Sequence, residues 1–147
     1  MFEVPESWAF LSDTNAAVSG GRRLVVYSDA TNSDTNVFLL ITPVRGDYTQ
    51  LGSFGTLDAV QDTIVPRGPD IQSEVIASSS SAGRYNYEYT VQVPNQPKRH
   101  LRTIFTLMSD NIVTFNAQAR EEDYTSDVAT VLRDIAATFS TTKLSAA

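Results

Sequence analysis

Between residues 85 and 93 the chain alternates strictly: Tyr85, Tyr87, Tyr89, Val91 and Val93 are separated by Asn86, Glu88, Thr90 and Gln92. A period of two marks a β-strand with one covered face and one wet face. Two further β-branched and aromatic runs follow, Leu101 to Leu107 and Ile112 to Ala117, with Ser109-Asp110-Asn111 between them as hairpin turn chemistry. Upstream, Ile71 to Ala77 leads through the serine run Ser78 to Ser81 and Gly83 into the tyrosine strand. Four residues between strands fit a hairpin tip better than a linker. These four strands in sequence predict an antiparallel meander. The first half adds strands over Arg22 to Tyr27 and Val37 to Ile41, joined by a polar loop, Ser28 to Asn36, and Phe2 and Val4 read as a strand at the start. Helical periods occur twice. Thr56 caps a short helix whose apolar stripe is Leu57, Val60 and Ile64 and which Pro66 ends. Near the C-terminus Tyr124, Val128, Val131, Leu132, Ile135 and Phe139 recur at spacings of three and four, so they share one helical face, with Asp123 and Asp127 at its positive end. The predicted fold class is α+β, with helices covering the faces of a central antiparallel sheet of about six strands.

Composition narrows the function. With 147 residues, 41% of them hydrophobic, the chain can bury one core, and we expect one domain over residues 1–140 with a flexible tail at 141–147. The absence of cysteine excludes a disulfide scaffold, a thiolate zinc site and a thiol nucleophile. A net charge of −6 argues against nucleic acid as a partner, because that affinity rests on clustered Lys and Arg releasing counterions. The longest apolar run, Val37-Phe38-Leu39-Leu40-Ile41, has strand length, far short of the roughly 20 residues a membrane helix needs. Met1 stands directly before Phe2 and Val4, so no targeting segment is expected within these residues.

Catalysis finds little footing. His100 is the single histidine, and no serine stands in a G-x-S-x-G setting, so serine-histidine chemistry is not expected. Gly52-Ser53-Phe54-Gly55 lacks the lysine and glycine spacing of a phosphate loop and reads as a helix-entry turn. Glu121, Glu122 and Asp123 are adjacent, which suits a solvated helix start better than an acid/base pair. These absences point to a binding protein and not an enzyme.

Several short segments stand in order along the chain: Val4-Pro5-Glu6-Ser7-Trp8, Tyr27-Ser28-Asp29, Asn36-Val37 through Ile41-Thr42-Pro43, Gly52-Ser53-Phe54-Gly55-Thr56, and Arg84-Tyr85-Asn86-Tyr87-Glu88-Tyr89. His100-Leu101, Asn116-Ala117-Gln118-Ala119 and Thr138-Phe139-Ser140 continue the series. No single motif is specific, but in their shared order along nearly the whole chain they resemble the PsbP family of thylakoid-lumen proteins, and that order carries the resemblance. It implies an α/β/α sandwich of the Mog1/PsbP-like type. It also implies a non-catalytic extrinsic protein, monomeric on its own and peripheral to the thylakoid membrane in the lumen of a plastid or cyanobacterium. The implied partners are lumenal subunits of photosystem II, where such proteins support calcium and chloride retention at the oxygen-evolving complex. Photosystem I, as the target of an assembly factor of the PsbP-domain group, is the close alternative. A Mog1-type small-GTPase-binding regulator is the alternative from another class, because that fold is shared.

Departures from the family pattern refine the expectation. The higher-plant subunit carries an N-terminal extension used in docking, and these residues begin at the core domain, which leaves its full ion-retention activity unexpected here. Tyr124 stands where tryptophan is common, and the charge is acidic where the plant subunit uses basic contacts. Both point toward the cyanobacterial form or a PsbP-domain paralogue. The resemblance implies no tightly bound cofactor. It offers a weak divalent metal site, for zinc or calcium, at His100 and Glu121, which an antiparallel hairpin could bring together. Two ligands fall short of the four of a tight zinc site. The adjacent basic pairs Arg22-Arg23 and Lys98-Arg99 are the expected partner-binding residues.

Overall fold

The structure, a computed structural model, describes residues 2–14, 23–43, 52, 55–108 and 111–139. Among these, the four-strand meander forms as predicted: β4 (Gln72–Ser81), β5 (Arg84–Gln92), β6 (Arg99–Met108) and β7 (Asn111–Arg120) pair consecutively and antiparallel. The first half contributes β1 (Ala9–Thr14), β2 (Arg23–Asp29) and β3 (Asn32–Pro43). The sheet order is β1-β2-β3-β7-β6-β5-β4, so two meanders meet where β3 lies against β7. Among the described residues the sheet thus has seven strands where about six were expected. The extra one is β1, whose Ala-Phe-Leu-Ser-Asp-Thr sequence shows no alternation because the register shifts between Phe10 and Ser12. Phe2 to Pro5 is not a strand; Phe2 instead packs edge-on against Tyr27 and Phe115.

Two predicted loops are largely strand. β4 runs through the serines to Ser81, and the chain reverses over Ala82 and Gly83, with φ of 51° and 74°. Two successive residues with positive φ match the right-handed twist of the flanking strands, which a four-residue serine tip would not. The expected polar loop over Ser28–Asn36 is likewise a hairpin reversing at Ala30 and Thr31, with Asp29 accepting from the backbone N–H and hydroxyl of Thr31. Its polar residues remain in strand because they bond across the sheet: Asn36 Oδ1 accepts from Gln118 Nε2 at 3.0 Å.

Among the described residues, two helices cover the sheet. α1 (Leu57–Ile64) is capped by Thr56, whose hydroxyl accepts from the Ala59 N–H. Its Val60 and the following Val65 are buried on Tyr85, Tyr87, Tyr89 and Phe105, and the Tyr85 and Tyr87 hydroxyls donate to the carbonyls of Gly55 and Leu57, both at 2.7 Å. Burial pushes the Tyr87 phenol well above its ordinary range, with Tyr85 and Asp58 adding to the effect, so it stays a donor. On the opposite face α2 (Ser126–Thr138) lays Leu132 and Ile135 on Val37, Leu39, Val113, Phe115 and Ala117, and Phe139 closes the cluster. A 13-residue helix is marginal alone in water. Full burial of such side chains, worth about 1.5–3 kcal/mol each, is what holds it in place. The predicted stripe is correct, although Tyr124 precedes the helix and Phe139 follows it. Asp123 lies outside the helix and accepts from Asn32 Nδ2. Ser53, Phe54, Ser109, Asp110 and the expected tail at 141–147 lie outside the described residues.

Candidate functional site

His100 opens β6 opposite Thr90 of β5 and Ala119 of β7. The β5 face bearing Asn86, Glu88 and Thr90, expected to be wet, is partly covered: Thr90 is buried and the other two are half-buried. The reason is that this face looks toward α2, as the alternation requires once the tyrosines face α1. His100 is therefore buried among polar groups. Nε2 lies 2.7 Å from Glu88 Oε2 and Nδ1 lies 2.8 Å from Glu121 Oε2. Glu88 Oε1 also accepts from Arg102 Nη2 at 3.1 Å, so four charged or titratable side chains form one chain, Arg102–Glu88–His100–Glu121. An ionised carboxylate only accepts, so the two histidine contacts are complete when both ring nitrogens carry hydrogen.

The end of β7 places the fourth member. Glu121 N–H donates to the Lys98 carbonyl at 2.7 Å, extending the ladder by one bond, and a single 3-10 turn (Glu121–Asp123) then reverses the chain. That turn delivers Tyr124 onto the imidazole, with ring centroids 3.6 Å apart and planes within 5°. Thr125 caps α2 directly afterwards. Thus the imidazole is held at both nitrogens and stacked on by Tyr124.

A second polar cluster lies beside it. Arg99 and Arg120 are directly opposite on β6 and β7, and like charges so placed repel. Asp34 of β3 bridges them, its carboxylate accepting from Arg120 Nε at 2.7 Å and Arg99 Nη2 at 3.2 Å. Hydrogen bonds from Arg120 and then Arg99 hold the Asp34 carboxyl below the ordinary aspartate range.

Of the expected partner-binding residues, Arg99 is thus committed to Asp34, Lys98 is exposed, and Arg23 is half-buried in β2. Arg22 lies outside the described residues. His100 and Glu121 do meet, through the antiparallel pairing, but at hydrogen-bond distance. A zinc ion between them needs about 2.0–2.2 Å to each donor atom. Its insertion would require Glu121 to withdraw, and among the described residues no set of three or more His, Asp or Glu side chains is arranged to hold an ion. Sequence reasoning missed Glu88, Arg102 and the stacking role of Tyr124. The available signal was the turn at Pro94-Asn95: a hairpin folded about Asn95, whose φ is 64°, sets Glu88 opposite Arg102 and Thr90 opposite His100.

A sequence-family model described as PsbP matches residues 1–141. The chain belongs to the PsbP family. Among curated relatives, this PsbP-family chain is 28% identical over 105 residues to PsbP domain-containing protein 3, chloroplastic, of Arabidopsis thaliana; the match takes in 67% of the chain and 41% of the relative. The matched region thus spans about two-fifths of the relative's length. Among solved structures, the solution structure of cyanobacterial PsbP (CyanoP) from Synechocystis sp. PCC 6803 superposes with a TM-score of 0.64 at 26% identity. That similarity covers 95% of the chain and 84% of CyanoP. The PsbP fold accounts for the seven-stranded antiparallel sheet and the two helices described above. Among the described residues, no helix is long and apolar enough to cross a membrane.

Proposed function

We propose that the chain is a non-catalytic extrinsic accessory or assembly protein of photosystem II, working at the lumenal face of the thylakoid membrane. The observation that carries this reading is the family match over residues 1–141, supported by similarity to CyanoP along 95% of the chain. The local chemistry agrees. A general base needs a ring nitrogen facing substrate, and both nitrogens of His100 are taken by carboxylates inside a buried box. A divalent ion, zinc or calcium, would bind through His100 Nδ1 and Glu121, with water or a neighbouring protein completing its ligands and Glu88 holding the far nitrogen. A zinc titration that leaves the His100 ring resonances unmoved would dismiss it. Lys98 remains a docking contact in this reading, being exposed beside the box.

Photosystem I assembly is the second reading, favoured by the similarity to a PsbP domain-containing chloroplast protein. One experiment addresses both. Affinity capture of the native, tagged protein from mildly solubilised thylakoid membranes is expected to bring down photosystem II subunits. Photosystem I subunits alone would select the second reading, and recovery free of either complex would overturn both.

A further inference from the structure

α2 packs over β7, and beside it the described residues leave the same face of the sheet open toward β5 and β4. Here lies a half-open groove of about 450 Å³, floored by Asn86, Glu88 and Ile104 and walled by Arg84 of β5, Arg102 of β6 and Arg133 of α2. Three guanidinium groups thus converge on one groove in a chain whose net charge is −6. Among the described residues, Glu88 is the single carboxylate lining it, and both its oxygens are already occupied, by His100 and Arg102.

The arginines keep donors in reserve. Arg102 Nε is buried and has no acceptor, a state that native folds rarely leave unanswered. Arg84 spends one donor on the Phe139 carbonyl and stacks over the Phe139 ring, which fixes its guanidinium at the groove wall. Arg133 is exposed and makes no ion pair with the described residues. The outer lip is β4, the last strand of the sheet, whose Ala77 to Ser81 stretch is exposed and carries neither charge nor proline to blunt its free edge.

We propose that this groove receives an extended acidic segment of a partner protein, its carboxylates pairing with Arg84, Arg102 and Arg133. Planar guanidinium groups recognise carboxylates by paired, parallel hydrogen bonds, which suits Arg133, exposed at the groove wall. The open side of the groove admits a passing chain. The identity of that chain as a photosystem subunit rests on the function proposed above; the groove's preference for acidic peptide does not.

The full chain, labelled with nitrogen-15, would be titrated with a hexaglutamate peptide and separately with inorganic phosphate, while peptide anisotropy gives the affinity. The expected result is movement of the Arg102 and Arg133 Nε–H resonances by the peptide, affinity falling with added salt, and a loss of about tenfold in Arg133→Glu, roughly one charge-assisted hydrogen bond. Arg133 is exposed on α2, so that substitution leaves the core alone. Lys98→Glu should leave peptide affinity unchanged. Equal peptide affinity in wild type and Arg133→Glu would overturn the proposal, as would phosphate matching the peptide, which would mark a simple anion site. Thylakoid-membrane binding of the same two proteins separates the two claims. Membranes that hold wild type and Arg133→Glu equally refute the groove as the docking site, whereas peptide binding without any membrane binding upholds the groove and refutes the photosystem reading.

Discussion

Replacing His100 by alanine removes the middle of the chain Arg102–Glu88–His100–Glu121 and the partner on which Tyr124 stacks. The two carboxylates should not lose equally. The Glu88 side chain is 19% exposed and Glu121 is 41% exposed, so water replaces the histidine for Glu121 far better than for Glu88. A charge-assisted hydrogen bond contributes about 1.5–3 kcal/mol, and the lower end applies to Glu88 because Arg102 still faces it. The Glu121 contact, half in water, contributes about 0.5 kcal/mol, and the ring stack on Tyr124 about 1 kcal/mol. The expected loss for His100→Ala is therefore about 3 kcal/mol, a large part of the roughly 5–15 kcal/mol typical of a domain. Urea unfolding followed by Trp8, the single tryptophan and packed on the α2-side core, would report it as a midpoint lowered by roughly 1–3 M. A double-mutant cycle should find coupling of about 1.5 kcal/mol between His100 and Glu88 and under about 0.5 kcal/mol between His100 and Glu121. A loss below about 1 kcal/mol for the single variant, or a larger coupling to Glu121, would refute the reasoning.

Two further predictions concern other parts of the sheet. Gly83→Ala should cost about 1 kcal/mol, because open space surrounds a Cβ there and only the positive φ penalises it, whereas Ala82→Asn should be neutral or stabilising; thermal unfolding of both variants checks the pair. Asp34, whose carboxyl is held below the ordinary value of 3.8, contributes stability that is fully present above that pH and is lost as pH falls through its folded value. The stability gap between wild type and Asp34→Asn should accordingly stay flat from pH 7 to about 5 and close below about 4; a gap unchanged at pH 3 would contradict the Arg120–Asp34–Arg99 bridge.

What the sequence disclosed followed its hydrophobic periods. The tyrosine strand, the capped helix after Thr56 and the stripe from Val128 to Ile135 were legible because each has a period that one geometry alone can bury. β1 escaped because its bulge breaks the alternation at Leu11, and the start of β3 escaped because Asp34 and Asn36 are polar yet paired within the sheet. His100 and Glu121 were placed together by the family resemblance, and the antiparallel register supplied the reason. Glu88 was hidden by its own strand. Alternation marks which residues leave the tyrosine face but not what covers the other one, and only the β6 register and the Glu121–Asp123 turn that brings in Tyr124 turn a polar strand face into a box around an imidazole. The predicted Lys98-Arg99 pair separates for a similar reason, since the acid that claims Arg99 stands 65 residues away on β3.

The seam between β3 and β7 bears on how the molecule assembles. β1-β2-β3 and β4-β5-β6-β7 are each knit by neighbours along the chain, but the seam joins residues as distant as Asn36 and Gln118, 82 positions apart. Closing so long an excursion costs more chain entropy than closing either set of hairpins. The second meander can therefore organise first and offer β7 as a template on which β3 docks. The residues that complete the α2-side core across that seam, Val37 and Leu39 against Phe115 and Ala117, are the ones whose contacts are expected to form late, with φ-values near zero. Sheet order alone thus predicts an early-folding half and a late-folding one in a sheet whose two faces carry separate hydrophobic clusters.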